Sequence, residues 1–282
     1  MRKLLSIIAL FAFINMGFCQ NEEKGWELAN LTKKASLTVM YFENHPFSFI
    51  NNEGNLAGIE IDILKDFAVW CKSEKGIDIS FDFEPSQNFA KFYDNLKSSN
   101  VNTIGLGSLA ISESRQSEIT FTPPYMKNKS VLVSSLEIPT TRNFDEFETN
   151  FYDLTAVVIS GSSHEAVMLN IKNKYFPRLR VRYIDTPTEL LQLVFEDKNY
   201  YGYVDLLSYW SFIQRRCCTL KIHRDIIIQP DYFAFGMSKN SDWNDPFTEF
   251  FEGGFGYTSK EKYLKILEKY LGYEIIKSVE LY

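Results

Sequence analysis

One stretch of the chain combines groups that can bind a small anion. Residues 101–106 form a short apolar run without a helical period, which predicts a buried strand. Ser108 and Ser112 follow with hydroxyl groups, and Arg115 follows with a planar fork of donors that suits a carboxylate. Two consecutive prolines then stiffen the chain just before Tyr125. A strand, an open loop, an arginine and a segment stiffened by prolines together predict a binding site beside a hinge.

The elements around this stretch must position it. Residues 37–42 and 77–83 predict strands, and apolar side chains at helical spacing over 59–71 and 89–96 predict helices. A strand–helix–strand–helix–strand order with short loops predicts an α/β fold whose mostly parallel sheet is covered by helices. Ligands bind such sheets outside the carboxyl ends of the strands, and this is where we expect Arg115 to lie.

A second candidate anion site lies further along the chain. Residues 155–159 predict a buried strand, and Ser162 or Ser163 is a natural N-cap for the helix that follows. Free N–H groups and the helix dipole at such an end favour an anion. Ordinary helix capping explains the same serines equally well. Further strands are predicted at 181–184 and 201–207.

Four parts of the chain also match, in order, the motifs of one protein family. They are NHPFSF at 44–49 with GIEIDIL at 58–64, GSLAISESRQSEITFTPPY at 107–125, VVISGSSHE at 157–165, and YGYVD at 201–205. Over about residues 36–275 the chain resembles the periplasmic solute-binding proteins of family 3, which serve amino-acid ABC importers. The resemblance implies a type II periplasmic-binding-protein fold with two lobes, mostly parallel sheets and two hinge crossings. It places lobe one at 36–126 plus about 238–282, and lobe two at about 127–237.

The resemblance also implies which residues face the ligand. Arg115 would grip a ligand carboxylate, and Ser163 with its backbone N–H would face the same carboxylate from the other lobe. Asn44 and Phe89 occupy the two positions that often sandwich the ligand in this family. Asn44 is not aromatic, so half of that stacking clamp is missing. Phe89 is explained equally well as part of the apolar face of its helix.

Two positions depart from the family pattern where amino-acid binders hold the ligand ammonium. An aspartate is expected five residues after the position that Asp205 matches, and this chain has Trp210 there, with an apolar face and one N–H donor. A serine or threonine is expected five residues before the arginine, and this chain has Ala110. Ser108 can still accept a hydrogen bond but brings no negative charge. We therefore expect an apolar or aromatic carboxylate ligand, in which an α-ammonium is not the main group that the protein recognises. A shifted local register, with Asp205 in the ammonium role, is the alternative.

The start of the chain predicts export. Basic residues precede an apolar core at 4–14, too short to span a bilayer, and small residues predict cleavage before Gln20. Lipid attachment at Cys19 is the alternative. Residues 20–35 are polar and predict a loose tether. Removal of the signal leaves a net charge of −8, which argues against nucleic acid or anionic membranes as partners.

Cysteine and histidine give no sign of a metal site or a cofactor. After cleavage Cys71, Cys217 and Cys218 remain, without a C-x-x-C pair, and their disulfide state stays open. The three histidines are scattered along the chain. We therefore expect neither a metal nor a cofactor.

The expected function is extracytoplasmic capture of a small carboxylate-bearing ligand, an amino acid or a related organic acid. Ligand in the cleft would close the lobes by hinge motion, and a monomer would present this state to an ABC permease. No bond chemistry is required, so we expect no enzymatic activity. Two alternatives stay open: a stand-alone ligand sensor, or an enzyme on the same fold that is similar to cyclohexadienyl dehydratase. Glu43 and Glu60 are the nearest candidate acids for such an enzyme, although both have ordinary surface explanations.

Overall fold

The computed structural model describes residues 25–216, 219–226 and 231–278. The predicted signal segment at 1–19, including Cys19, and the cysteines Cys217 and Cys218 lie outside the described residues. Cys71 is described, and it is a buried free thiol. Within the described ranges, no helix has the length and apolar content that crossing a membrane requires.

Thirteen strands are found in the described residues. In chain order they are β1 (Lys34–Phe42), β2 (Phe49–Ile50), β3 (Leu56–Ala57), β4 (Asp78–Ser86), β5 (Thr103–Ala110), β6 (Ile119–Phe121), β7 (Met126–Asn128), β8 (Ser130–Ser134), β9 (Thr155–Ile159), β10 (Arg180–Ile184), β11 (Tyr200–Asp205), β12 (Lys221–His223) and β13 (Asp231–Ser238). The helices of the same residues are α1 (Gly25–Thr32), α2 (Ile59–Trp70), α3 (Phe89–Lys97), α4 (Glu113–Glu118), α5 (Phe147–Phe151), α6 (Ser163–Lys174), α7 (Pro187–Glu196), α8 (Leu206–Arg216), α9 (Asn244–Glu252), α10 (Glu261–Leu271) and α11 (Tyr273–Ser278). Short turns of other helix types lie at Cys71–Lys75, Phe144–Glu146 and Tyr257–Ser259.

The first lobe is built on a sheet with the order β4-β1-β5-β13-β6, in which β7 also pairs with β13. Strands β4, β1 and β5 run parallel, as the alternation of strands and helices predicts, and β13 runs antiparallel to β5. Helix α3 packs closely on β5. A Cβ atom added at Gly107 would lie only 2.8 Å from the Phe92 ring, which shows how close the two elements are. The glycines of β5 therefore allow this close approach.

The second lobe is built on a sheet with the order β10-β9-β11-β8-β12. Strands β10, β9 and β11 are parallel, while β8 and β12 are antiparallel neighbours. The chain passes from the first sheet to the second between β7 and β8. We predicted that the second lobe extends to about residue 237, but β13 pairs with β5, β6 and β7 over Asp231–Ser238. The side chains of Phe233, Phe235 and Met237 are buried in the first lobe, so we propose that the return crossing precedes residue 231.

Helix α1 corrects the expectation of a loose tether at 20–35 for its described part, and residues 20–24 lie outside the described residues. The backbone N–H groups of Trp26 and Glu27 donate to the carboxylate of Asp242, at 2.9 and 3.1 Å. The Trp26 ring also packs edge-on against Trp243, with 5.3 Å between ring centroids. An acid more than 200 residues away thus satisfies the amino end of this helix. No local sequence pattern predicts such a contact.

Candidate ligand-binding site

A cavity lies between the two lobes. The strands β1, β5, β9 and β11 all end at its wall, as expected for a ligand site outside the carboxyl ends of a parallel sheet. Six of the seven residues predicted to face a ligand line it. They are Asn44, Phe89, Ser108, Ala110, Arg115 and Ser163.

Arg115 supplies a cation to this cavity. It lies in the first turns of α4, whose N-cap Ser112 accepts a hydrogen bond from the Arg115 backbone N–H. Its guanidinium donates to the carbonyl of Ala110 at 3.1 Å and to the carbonyl of Gly161, in the second lobe, at 3.2 Å. The side chain is only 8% exposed. The contacts fix a buried positive charge between the lobes, where it can attract a ligand anion.

The Phe89 ring belongs both to the apolar core and to the cavity wall. Phe89 is the first residue of α3, which begins after the N-cap Asn88. Its ring packs edge-on against Phe42 at 5.5 Å and lies 5.2 Å from the guanidinium carbon of Arg115. The ring also lines the cavity. Phe89 is therefore both a core residue and a wall that holds the arginine by a cation–π contact.

Ser108 and Asn44 form a hydrogen-bonded chain that reaches the second lobe. The amide of Asn44 donates to the Ser108 hydroxyl at 2.8 Å, and its carbonyl accepts from the hydroxyl of Ser208, on α8, at 3.0 Å. Ser108 has a φ of 44°, in the left-handed region that non-glycine residues rarely adopt. Its backbone N–H donates to Glu60 Oε1 at 2.9 Å, which supports this conformation.

Glu60 is buried, which corrects our surface interpretation of this residue. Its side chain lies in the first turn of α2 and is fully enclosed. Tyr125, at the entrance to the hinge strand β7, donates its hydroxyl to Glu60 Oε1 at 2.8 Å. Burial raises the pKa of Glu60 to about 7, against the opposing effect of the Tyr125 hydroxyl and the Ser108 amide. Glu60 thus links the cavity wall to the hinge.

Asp205 also lines the cavity, although the first of our two register assignments did not place it at the ligand. It ends β11, lines the cavity and is 8% exposed. Its Oδ1 accepts a hydrogen bond from the Asn128 amide at 2.8 Å and lies 3.7 Å from His164 Nε2. Burial raises the pKa of Asp205 to about 7, partly opposed by the Asn128 hydrogen bond. An acid with a perturbed pKa in a cleft is typical of a functional site.

Trp210, the seventh residue predicted to face a ligand, does not line this cavity. Because α8 begins directly after Asp205, residue 210 points away from the cavity. The Trp210 indole N–H donates to the Leu271 carbonyl at 3.3 Å, and the ring packs on the core of the first lobe. On another face of α8, Phe212 packs in the second lobe. Trp210 therefore helps α8 to bridge the lobes.

The amino end of α6 forms part of the cavity wall. Ser162 is the N-cap, and its hydroxyl accepts from the backbone N–H of Glu165 at 3.2 Å. Both Ser162 and Ser163 line the cavity. The helix dipole thus places partial positive charge in the same space as Arg115.

The two lobes and the cavity between them define a two-lobed binding protein with the type II periplasmic fold, which confirms the predicted fold class. Residues 37–273 match the model of the family described as bacterial extracellular solute-binding proteins, family 3. The chain belongs to this family. No curated protein sequence gave a significant match.

Solved structures share the architecture at low sequence identity. A substrate-binding protein of an ABC uptake transporter from Streptococcus pneumoniae, with bound histidine, has a TM-score of 0.72 and 18% identity over 90% of this chain and 98% of that chain. The solute receptor for L-cysteine of Neisseria gonorrhoeae has a TM-score of 0.67 and 17% identity over 90% and 96%. An ancestral amino acid-binding protein, a precursor of cyclohexadienyl dehydratase, has a TM-score of 0.63 and 18% identity over 84% and 95%. At such identities the likeness establishes the fold.

Proposed function

We propose that this protein captures a free amino acid in the interlobe cavity and delivers it for import. One observation carries the proposal: Arg115 and Asp205 bring opposite buried charges to the same cavity. Arg115 suits the α-carboxylate of an amino acid, and Asp205 suits its α-ammonium. This assignment replaces our expectation of a ligand without a recognised ammonium. That expectation rested on Trp210 and Ala110, which stand at the positions of an acid and of a hydroxyl in the family pattern.

Contacts across the lobes support a hinge-closing mechanism. Arg115 reaches the Gly161 carbonyl, and Asn44 accepts from Ser208, so two cavity-lining residues of the first lobe bond to the second. A ligand held by Arg115 and Asp205 would add its own bridge between the lobes and favour the closed state. The protein would then offer this closed surface to an ABC permease from the periplasm.

Structural relatives support an amino acid as the ligand. The proteins of similar fold include one with bound histidine and one described as a receptor for L-cysteine. Because their sequence identity is low, these relatives do not identify which amino acid this chain binds. The residues of this cavity determine that choice. Capture and release need no bond to form or break, so we propose that the protein is not an enzyme.

A thermal-shift screen with the free amino acids tests the proposed function. A ligand at 100 times its Kd stabilises the folded state by about 2.7 kcal/mol, which raises the melting temperature by a few degrees. We expect at least one amino acid to produce this shift. If none does while another class of small molecule does, the amino acid proposal is wrong.

The affinity for the amino acid is expected to rise with pH up to about 7 and then to level off. The ligand ammonium binds the ionised form of Asp205, whose pKa in the unliganded cavity is about 7. Below that value each pH unit lowers the affinity up to tenfold, because a proton must leave before the ligand binds. Calorimetric titrations between pH 5 and 8 measure the slope.

Two variants separate Asp205 from the other groups that titrate nearby. Glu60 also has a pKa near 7, and His164 and Arg115 share the cavity wall with Asp205. We expect Asp205→Asn to flatten the pH profile and Glu60→Gln to retain it. A slope that survives in Asp205→Asn would assign the proton to another group.

An enzyme on the same fold is the second candidate function. Asp205 favours it, because a carboxyl group with a pKa of about 7 in a cleft is suited to general acid catalysis. The fold is also that of a precursor of cyclohexadienyl dehydratase. Incubation with prephenate or arogenate distinguishes the two functions: release of an aromatic product, absent in Asp205→Asn, would favour the enzyme.

A further inference from the structure

We infer that the side chain of the captured amino acid is uncharged, and the inference rests on the proposed function. Among the described residues that line the cavity, the charged or titratable side chains are Arg115, Asp205 and His164. The ligand carboxylate and ammonium engage the first two. Of these three residues, only His164 is left to pair with a charge on the ligand side chain. Its surroundings decide whether it can do so.

The surroundings of His164 do not suit it as a partner for a charged side chain. Its Nε2 lies 2.8 Å from the Ser130 hydroxyl and 3.7 Å from Asp205 Oδ1, so this edge of the ring faces the protein. A ligand cation beside a protonated His164 would be repelled. A ligand anion beside it would also lie close to Asp205, where like charges repel.

The rest of the wall favours a neutral side chain. Phe42 and Phe89 of the first lobe pack with Ile159 and Val204 of the second in one buried apolar cluster, and all four residues line the cavity. The polar wall residues, such as Asn44, are neutral and already hydrogen-bonded within the protein. An extra ligand charge in this closed space would lose its hydration without gaining a counter-charge, and such burial is strongly unfavourable. An apolar or small neutral side chain gains contact with the wall instead.

Pairs of amino acids that differ only in charge test the inference. Glutamine against glutamate and citrulline against arginine match in length and shape, and alanine, serine, valine, cysteine and methionine extend the neutral set. Affinities are measured by calorimetry at pH 8 with the unmodified protein. We expect the tightest ligand to be neutral, and to bind at least 100-fold more tightly than glutamate, aspartate, lysine or arginine. The Arg115→Ala variant, titrated in parallel, should lose binding to every member, which ties the signal to this cavity.

The outcomes separate this inference from the function on which it rests. If a charged amino acid is the tightest ligand, and its binding needs Arg115, the proposed function stands and the inference is wrong. If the charged and neutral members of both matched pairs bind within threefold of each other, the cavity does not select by charge, and the inference is again wrong. If no amino acid binds at all while the protein is folded, the proposed function falls, and the inference falls with it.

Discussion

Replacing Arg115 with alanine is expected to lower the affinity for the amino acid by roughly 30-fold to several thousand-fold. The substitution removes a buried guanidinium that lies in the cavity wall and is 8% exposed. Loss of one partner from a buried, charge-assisted contact costs about 2–5 kcal/mol, which corresponds to that range of affinity. The ligand carboxylate would be left without its cation in a space where water cannot fully replace it. Isothermal calorimetry with the best ligand from the screen measures the effect.

Two further variants keep this test specific. Arg182→Ala removes an exposed arginine of β10 that makes a comparable contact, stacking at 5.4 Å on the Tyr200 ring, and it should leave the affinity unchanged. Arg115→Lys keeps the charge but lacks the planar fork, so it should also bind poorly. Circular dichroism and the melting temperature establish that each variant folds. An Arg115→Ala protein that is folded and binds as tightly as the wild type would disprove the assignment of the carboxylate site.

Much of the fold and part of the site followed from local sequence patterns. The alternation of strands and helices predicted the parallel sheet, and the residue types at the start of α6 predicted Ser162 or Ser163 as its N-cap, which is Ser162 in the structure. Arg115 and Ser108 were placed in the cleft because they follow a buried strand, and strand ends meet at one edge of a parallel sheet. Each of these inferences depends on a few neighbouring residues, so a local sequence pattern is enough to predict the feature.

The errors concern residues whose environment comes from distant parts of the chain. Glu60 was interpreted as a surface acid, yet Tyr125 and Ser108, about 50 to 65 residues away in sequence, enclose it. Helix α1 is capped by Asp242 from the other end of the chain. These contacts are long-range, and composition or periodicity near either partner does not reveal them.

For a different reason, the acid that we propose for the ligand ammonium was not chosen from the sequence. Asp205 was matched to an aspartate of the family motif that lies five residues before the ammonium-binding one, which placed the expected acid at position 210. The structure ends β11 at Asp205 and begins α8 at Leu206. This position at the strand end and in the cavity wall favours the alternative register, in which Asp205 itself takes the ammonium role. Strand boundaries are set by tertiary pairing, here with β8 up to Ser130, and sequence patterns locate them only to within a few residues.

The corrected register leads to the second large effect. An amino acid is expected to bind at least 100-fold more tightly than its deaminated analogue, a difference of about 2.7 kcal/mol. A primary ammonium buried in a closed cleft needs a charged or strongly polar partner, and Asp205 supplies a carboxylate at the cavity wall. The analogue lacks the ammonium and leaves the buried Asp205 without this counter-charge. Competition or calorimetry with the two ligands at pH 8, where Asp205 is ionised, measures the ratio.

The Asp205→Asn variant decides whether this preference arises at the proposed residue. Asparagine keeps the shape and an oxygen that can accept from Asn128, but it removes the negative charge. The preference for the amino acid should therefore shrink to less than about tenfold, mainly through weaker binding of the amino acid. Asp145→Asn, at an exposed acid of the same lobe, should retain the full preference. If the wild type binds the deaminated analogue as tightly as the amino acid, Asp205 does not hold an ammonium. If the preference is present in the wild type but persists unchanged in Asp205→Asn, the ammonium lies elsewhere in the cavity.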